Sequence, residues 1–282
     1  MVWYHSTTLT PAALLKRMPA SDAFVMWIDF AALRRAGFLQ LLSGAKAAEE
    51  AEYQSFVYAT RFDYMNDLDS ALVSFPRAGG FYALVEGRFD WKSLRAYVAR
   101  ENGQCVNSLC RVTGSTPDRH ISFLPLRRDL MALAVGPDAW AVNDLAASQP
   151  GPYPAMPEGL VWMRFPGSLP KSSTNLPDGA RPFARIVENA PSVTLSLVPE
   201  AGRLAAKLEV RCRTEQEAAD LAAQLTSTTE LARSLFAREH QTPNPADFSG
   251  VVTSGVFHAE GVRLLGYWPI ERALVQNLLG TQ

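Results

Sequence analysis

"ALVEGRFDWKSLRAYV", residues 83–98, and "AKLEVRCRTEQEAADL", residues 206–221, decide how this chain is read. Each begins as a strand that alternates apolar and polar residues, then turns into a helix with its own start signal. In the second, Leu204, Ala206, Leu208, Val210 and Cys212 share one strand face. At a shift of 123 residues they fall on Phe81, Ala83, Val85, Gly87 and Phe89. Glu209 falls on Glu86, and Arg211 on Arg88. Asp90 is placed to cap the helix "WKSLRAYVARENG", which ends at Gly103. Thr214 is placed to cap the later helix, with Glu217 completing a capping box.

Working outward, the flanks repeat as well. "AFVMWIDF" (23–30) is an apolar run like a buried strand, and "GLVWMRFP" (159–166) resembles it. Helical periodicity follows at Leu33, Gly37, Phe38, Leu41 and Leu42, and again over about 47–62. In the second half "PFARIVENA" takes that place. "SALVSFP" stops at Pro76 and "SVTLSLVP" at Pro199, where a proline ends ladder donation. Short strands follow near 106–113, at "HISFLPL" and at "LMALAVG". The second half closes with "GVVTSGVF" and "VRLLGYW" as a hairpin, then a helix over "IERALVQNLL".

Strand, helix, strand, strand, helix, strand, written twice, is the split βαβ order. The expected class is α+β: two tandem ferredoxin-like repeats, each an antiparallel sheet with one face covered by helices. The expected boundaries are an arm at 1–20, a first repeat at 21–146, a Pro/Gly-rich linker at 147–158 and a second repeat at 159–282.

Totals narrow the function. The 282 residues are 48% hydrophobic and 20% charged, as in a globular protein, with formal net charge −1 and pI near 6.4. A nucleic-acid binder usually carries a basic excess, and so does a protein docked electrostatically on anionic lipid. The pairs Lys16-Arg17, Arg34-Arg35 and Arg127-Arg128 read as solvated faces. No stretch reaches the roughly 18 apolar residues of a bilayer span, and the first residues lack the pattern of a signal peptide. Val2, Trp3 and Tyr4 are aromatic or apolar residues at a terminus. One reading is a segment just after a removed membrane anchor, which would tether the protein in the envelope. The other is a strand or cap packed on the domain.

Cys105 and Cys110 sit in "QCVNSLC", spaced for a tight hairpin whose facing cysteines can bridge. A disulfide would imply an oxidising compartment, reduced thiols a cytosolic one. A zinc site would need two more ligands; His120 is the nearest candidate, and the spacing lacks paired knuckles. Cys212 occupies the place of Phe89 and reads as a buried free thiol. His5, His120, His240 and His258 share no motif, and no nucleophile, phosphate-loop or dinucleotide signature occurs. Asp63, Asp67 and Asp69 lack the Gly and Glu of a calcium loop. Tyr53, Phe56, Tyr58, Phe62 and Tyr64 read as a core-facing stripe, or else as a groove for a partner. No catalytic residue, metal site or cofactor is expected, and the ligand-binding residues are unknown.

"MPASDAFVMWIDFAALRRAGFLQLL" and "ALVEGRFDWKSLRAYV" carry a resemblance to uncharacterised bacterial cell-envelope and lipoprotein-like proteins with a domain of unknown function. It rests on Pro19-Ala20, Asp22-Ala23, Asp29, Leu33 and Arg88-Phe89-Asp90. The resemblance implies an envelope location and a duplicated α+β fold, and no activity. The expected function is therefore a non-enzymatic, envelope-exposed binding or scaffold protein with an unknown protein or small-molecule partner. The alternative is an enzyme or small-ligand sensor with a site in the cleft between the repeats.

Overall fold

Alternation in the sequence becomes antiparallel ladders, and the breaks between them become caps and tight turns. The computed structural model describes residues 10–19, 23–39, 51–77, 79–147, 149, 155–167, 181–200 and 203–280. Val2, Trp3, Tyr4, His5, Ala20, Asp22, Leu41, Leu42 and much of the expected linker lie outside them. Two units form, one from Met1–Ala31 with Ala45–Met156, the other from Ala32–Gly44 with Pro157–Gln282.

In the first unit the elements run α1 (Pro11–Leu15), β1 (Phe24–Ile28), α2 (Phe30–Ala36, which passes into the second unit), α3 (Ala51–Thr60), α4 (Tyr64–Asp67), β2 (Leu68–Phe75), β3 (Phe81–Gly87) and α5 (Trp91–Arg100). There follow β4 (Gln104–Val106), β5 (Leu109–Thr113), β6 (His120–Pro125), β7 (Leu130–Gly136) and a 3-10 turn at Ala141–Leu145. Its strands lie in the order β1-β2-β3-β7-β6-β5-β4, each pair antiparallel. The second unit holds β8 (Val161–Pro166), α6 (Arg181–Val187), β9 (Ser192–Glu200), β10 (Arg203–Arg211), α7 (Glu215–Arg238), α8 (Phe248–Ser254), β11 (Val256–Glu260), β12 (Arg263–Ile270) and α9 (Arg272–Gly280). Its order is β8-β9-β10-β12-β11, again antiparallel.

These ladders differ from the split βαβ order. There the two strands joined by the first helix are kept apart by the third; here β1 pairs directly with β2, and β8 with β9. The units share a different spatial order: three strands in sequence, then the last, then the one before it. The first unit extends that order with the β4–β5 hairpin.

Both faces of the first sheet are covered, not one. Leu72, Leu84 and Ala132 stand opposite one another and are fully buried. On the other face Leu94 and Val98 of α5 pack on Cys110 and Phe123. In the second unit Ala218, Ala222 and Leu225 of α7 pack on Val193, Leu208, Val210, Cys212 and Leu264.

Local signals explain the element ends. The Asp90 carboxylate accepts from the amides of Lys92 and Ser93, at 3.0 and 3.2 Å. Thr214 accepts from the Glu217 amide at 3.0 Å, and the Glu217 carboxylate reaches back to the Arg213 amide at 2.6 Å. Past α5 the left-handed residue is Asn102, with Gly103 returning its N–H to Val98 O at 2.8 Å. Gly103 is needed for closeness, since a Cβ there would lie 2.4 Å from Arg111 O. His240 plays the Asn102 part at the end of α7.

Two elements depart from expectation. "GVVTS" lies in α8, not in a strand. Asp247 caps it through the Ser249 amide at 2.7 Å, and this start signal prevails over the β-branched run. Pro199 lies inside β9, opposite Leu204. The β8 ladder ends at Leu197, so Pro199 sits where β9 is paired on one side, an edge-like place that tolerates proline.

Candidate functional site

Cys105 and Cys110 face each other across β4–β5 and form a disulfide. Asn107, left-handed, makes the turn. The bridged sulfurs are no longer thiolates, so the zinc alternative with His120 falls away; His120 opens β6, opposite Thr113 and Gly136. Beside the hairpin the Arg111 guanidinium lies 4.2 Å over the Trp140 ring and donates to Gln104 Oε1 at 2.9 Å. Cys212 is a free thiol, 8% exposed, and burial pushes its pKa up.

The acidic turn before β2 has structural duties. Asp63 caps α4 through the Met65 amide at 3.0 Å, and Asp67 accepts from the Asp63 amide and from Arg88. Among the described residues no group of three or more His, Cys, Asp or Glu could hold a metal ion, and no helix is long and apolar enough to cross a membrane. Of the aromatic group, Phe56 and Phe62 join Phe89 and Tyr97 in ring contacts 5.3–6.1 Å apart, while Tyr58 is 88% exposed. Of the basic pairs, Arg17 reaches the carbonyls of Leu145 and Ala146 at 3.3 and 2.7 Å, so it fastens α1 to the 3-10 turn.

Glu86 is a half-buried carboxylate on β3. It accepts from Ser70 Oγ at 2.8 Å and from Arg127 at 3.2 Å, and Arg127 also pairs with Asp129 at 3.2 Å. Burial raises the Glu86 pKa against the opposing pull of Ser70 and Arg127. Tyr82 donates to Asp144 at 3.0 Å; burial first, then that hydrogen bond, pushes its pKa up to about 12.

A groove of about 450 Å³ opens beside this network. It is lined by Trp91, Lys92 and Arg95 from α5, by Pro125 at the end of β6, and by Arg127 and Arg128 from the β6–β7 turn. Its frame is tied on several sides. Trp91 Nε1 donates to Arg128 O at 2.9 Å, and the Gly87 N–H to Asp129 O at 2.9 Å. The amides of Leu126 and Arg127 both reach Leu130 O. The sequence reading treated Arg127-Arg128 as a solvated face and passed over Lys92 and Arg95. The readable signal was a lysine in the first turn of a helix, where an acid is the favoured residue.

No protein-family model and no curated protein matches the chain. Among solved structures it is similar to crystal form I of TP0453, with a TM-score of 0.50 and 11% identity over 97% of this chain and 99% of that one. Crystal form III of TP0453 aligns with a TM-score of 0.49 and 12% identity, over 94% and 97% of the two chains. At such identity the likeness to crystal form I concerns the fold alone.

Proposed function

We propose that this chain is a non-enzymatic binding or scaffold protein, built from a duplicated α+β module and exposed in an oxidising compartment of the bacterial cell envelope. Duplication is supported by the spatial order common to the two units and by the matched helix caps at Asp90 and Thr214. It is supported too by the left-handed stops at Asn102 and His240. The repeat is a helix-interrupted antiparallel meander. The single observation that carries the compartment is the Cys105–Cys110 disulfide, because reducing compartments keep such pairs open. The binding role is supported by two features of the first unit, the bridged hairpin added to the shared strand order and the basic groove.

The test is an intact mass after alkylation under denaturing, non-reducing conditions, on protein isolated from its native host. The chain has three cysteines. One alkylated thiol, Cys212, is the expected result. Three alkylated thiols would place the working protein in a reducing compartment and overturn the proposal.

A further inference from the structure

We infer that the groove between the start of α5 and the β6–β7 turn binds a small anion carrying phosphate groups. This deepens the binding reading above. Three features point to it.

First, the cations converge on a fixed frame. Arg127 is engaged by Glu86 and Asp129. Arg95 and Arg128 are exposed and make no ion pair among the described residues. Lys92 lies beside Asp90, whose carboxylate is occupied in capping α5. Lys92 and Arg95 stand three residues apart on one helix face, so they reach the groove together. Arg128 is held opposite them by the bond from Trp91 to its carbonyl.

Second, the fold does not ask for these charges. A helix start favours acids, and like charges three residues apart repel. At the matching place in the second unit, α7 opens with Glu215 and Glu217, and Glu260 stands at the end of β11. The basic cluster is therefore particular to the first unit: the second has Gln216 and Ala219 where the first has Lys92 and Arg95, and its Glu217 and Glu260 are paired with Arg213 and Arg263. Local electrostatics set against the fold's own preference mark a functional site.

Third, the lining suits phosphate. Arg95 and Arg128 offer planar forks for bidentate pairing, and Lys92 a point charge. Trp91 and Pro125 supply an apolar wall for the rest of the ligand. The volume lies within the roughly 300–1,000 Å³ of small-molecule pockets.

The experiment titrates tripolyphosphate into the whole isotope-labelled protein and follows amide and indole N–H resonances. Expected are saturable shifts of the Trp91 indole and of amides at 91–95 and 126–129. Single variants Lys92→Ala, Arg95→Ala and Arg128→Ala should each weaken binding about tenfold, the effect of losing one charge-assisted hydrogen bond. Arg238→Ala, on the exposed end of α7, should change nothing. All four positions are exposed, and melting curves verify that the variants fold. The inference is overturned by an absence of saturable shifts or by shifts that persist in the triple variant. Equal affinity for a tricarboxylate, or binding confined to a long polyanion such as heparin, would also overturn it. Its failure would leave the alkylation result standing, and a chain with three free thiols could still bind tripolyphosphate.

Discussion

Glu86 shows what a single buried carboxylate contributes. Its partners are Ser70, sixteen residues away, and Arg127, forty-one away. Strand alternation gave its phase but none of these contacts, because no local pattern encodes them. Burial is the largest influence on its acidity, and it raises the pKa above the ordinary 4.5. The sign follows from linkage. A group with a raised folded pKa contributes stability that is full below the unfolded value and fades as pH rises through the folded one. Glu86 therefore favours the fold in acid and loses that contribution as pH rises from the ordinary glutamate value through its raised folded pKa. Glu86→Gln keeps an acceptor for Ser70 and Arg127 while removing the titration. Urea unfolding of both proteins should show the parent losing ground to Glu86→Gln as pH rises through that window. A constant difference across pH would refute the assignment. Cys212 offers a second check at this scale. Burial raises its pKa, so a thiol reagent should label it only on unfolding. Rapid labelling of the native protein would show an opening at the β10–α7 junction.

At the scale of elements, the β4–β5 hairpin is the most strongly specified piece. Cys110 is 1% exposed and packs with Leu94, Val98 and Phe123, so the bridge fastens the outermost strand to the core under α5. Closing so short a loop contributes about 2 kcal/mol in the chain-entropy model. Reduction should lower the unfolding free energy by about that amount and speed amide exchange first at 104–113. Exchange rising uniformly across the first unit would mean that the bridge supports far more than its hairpin. The Thr214 cap is a smaller device, and Thr214→Ala should cost about 1 kcal/mol in urea unfolding. Hairpins and caps were legible because each is written within a few neighbouring residues. The helix α8 was not, because Val251, Val252 and Thr253 spell a strand while the deciding signal is the single residue Asp247.

At the scale of the whole molecule, the phase of each strand could be read from alternation, but strand order could not. Alternation fixes which residues share a face; it does not say whether β1 lies beside β2 or beside β3, and helix-linked strands can do either. The groove was hidden for a related reason. A net charge of −1 averages over the chain, while Trp91 and Arg128, 37 residues apart, meet only after folding. The second unit has no counterpart of this basic cluster, and that difference yields a prediction about the whole molecule. Lys92 and Arg95 stand two and five residues past their cap, where the second unit has Gln216 and Ala219 past Thr214. The cations nearest that place, Arg213 and Arg263, are already paired with Glu217 and Glu260. Calorimetric titration should therefore find one tripolyphosphate per chain, with affinity falling as added salt screens the exposed cations. A stoichiometry of two would mean that the second unit binds as well, and the difference between the units would lose its functional meaning. A single site insensitive to salt would point away from Lys92, Arg95 and Arg128, because exposed charges cannot escape screening.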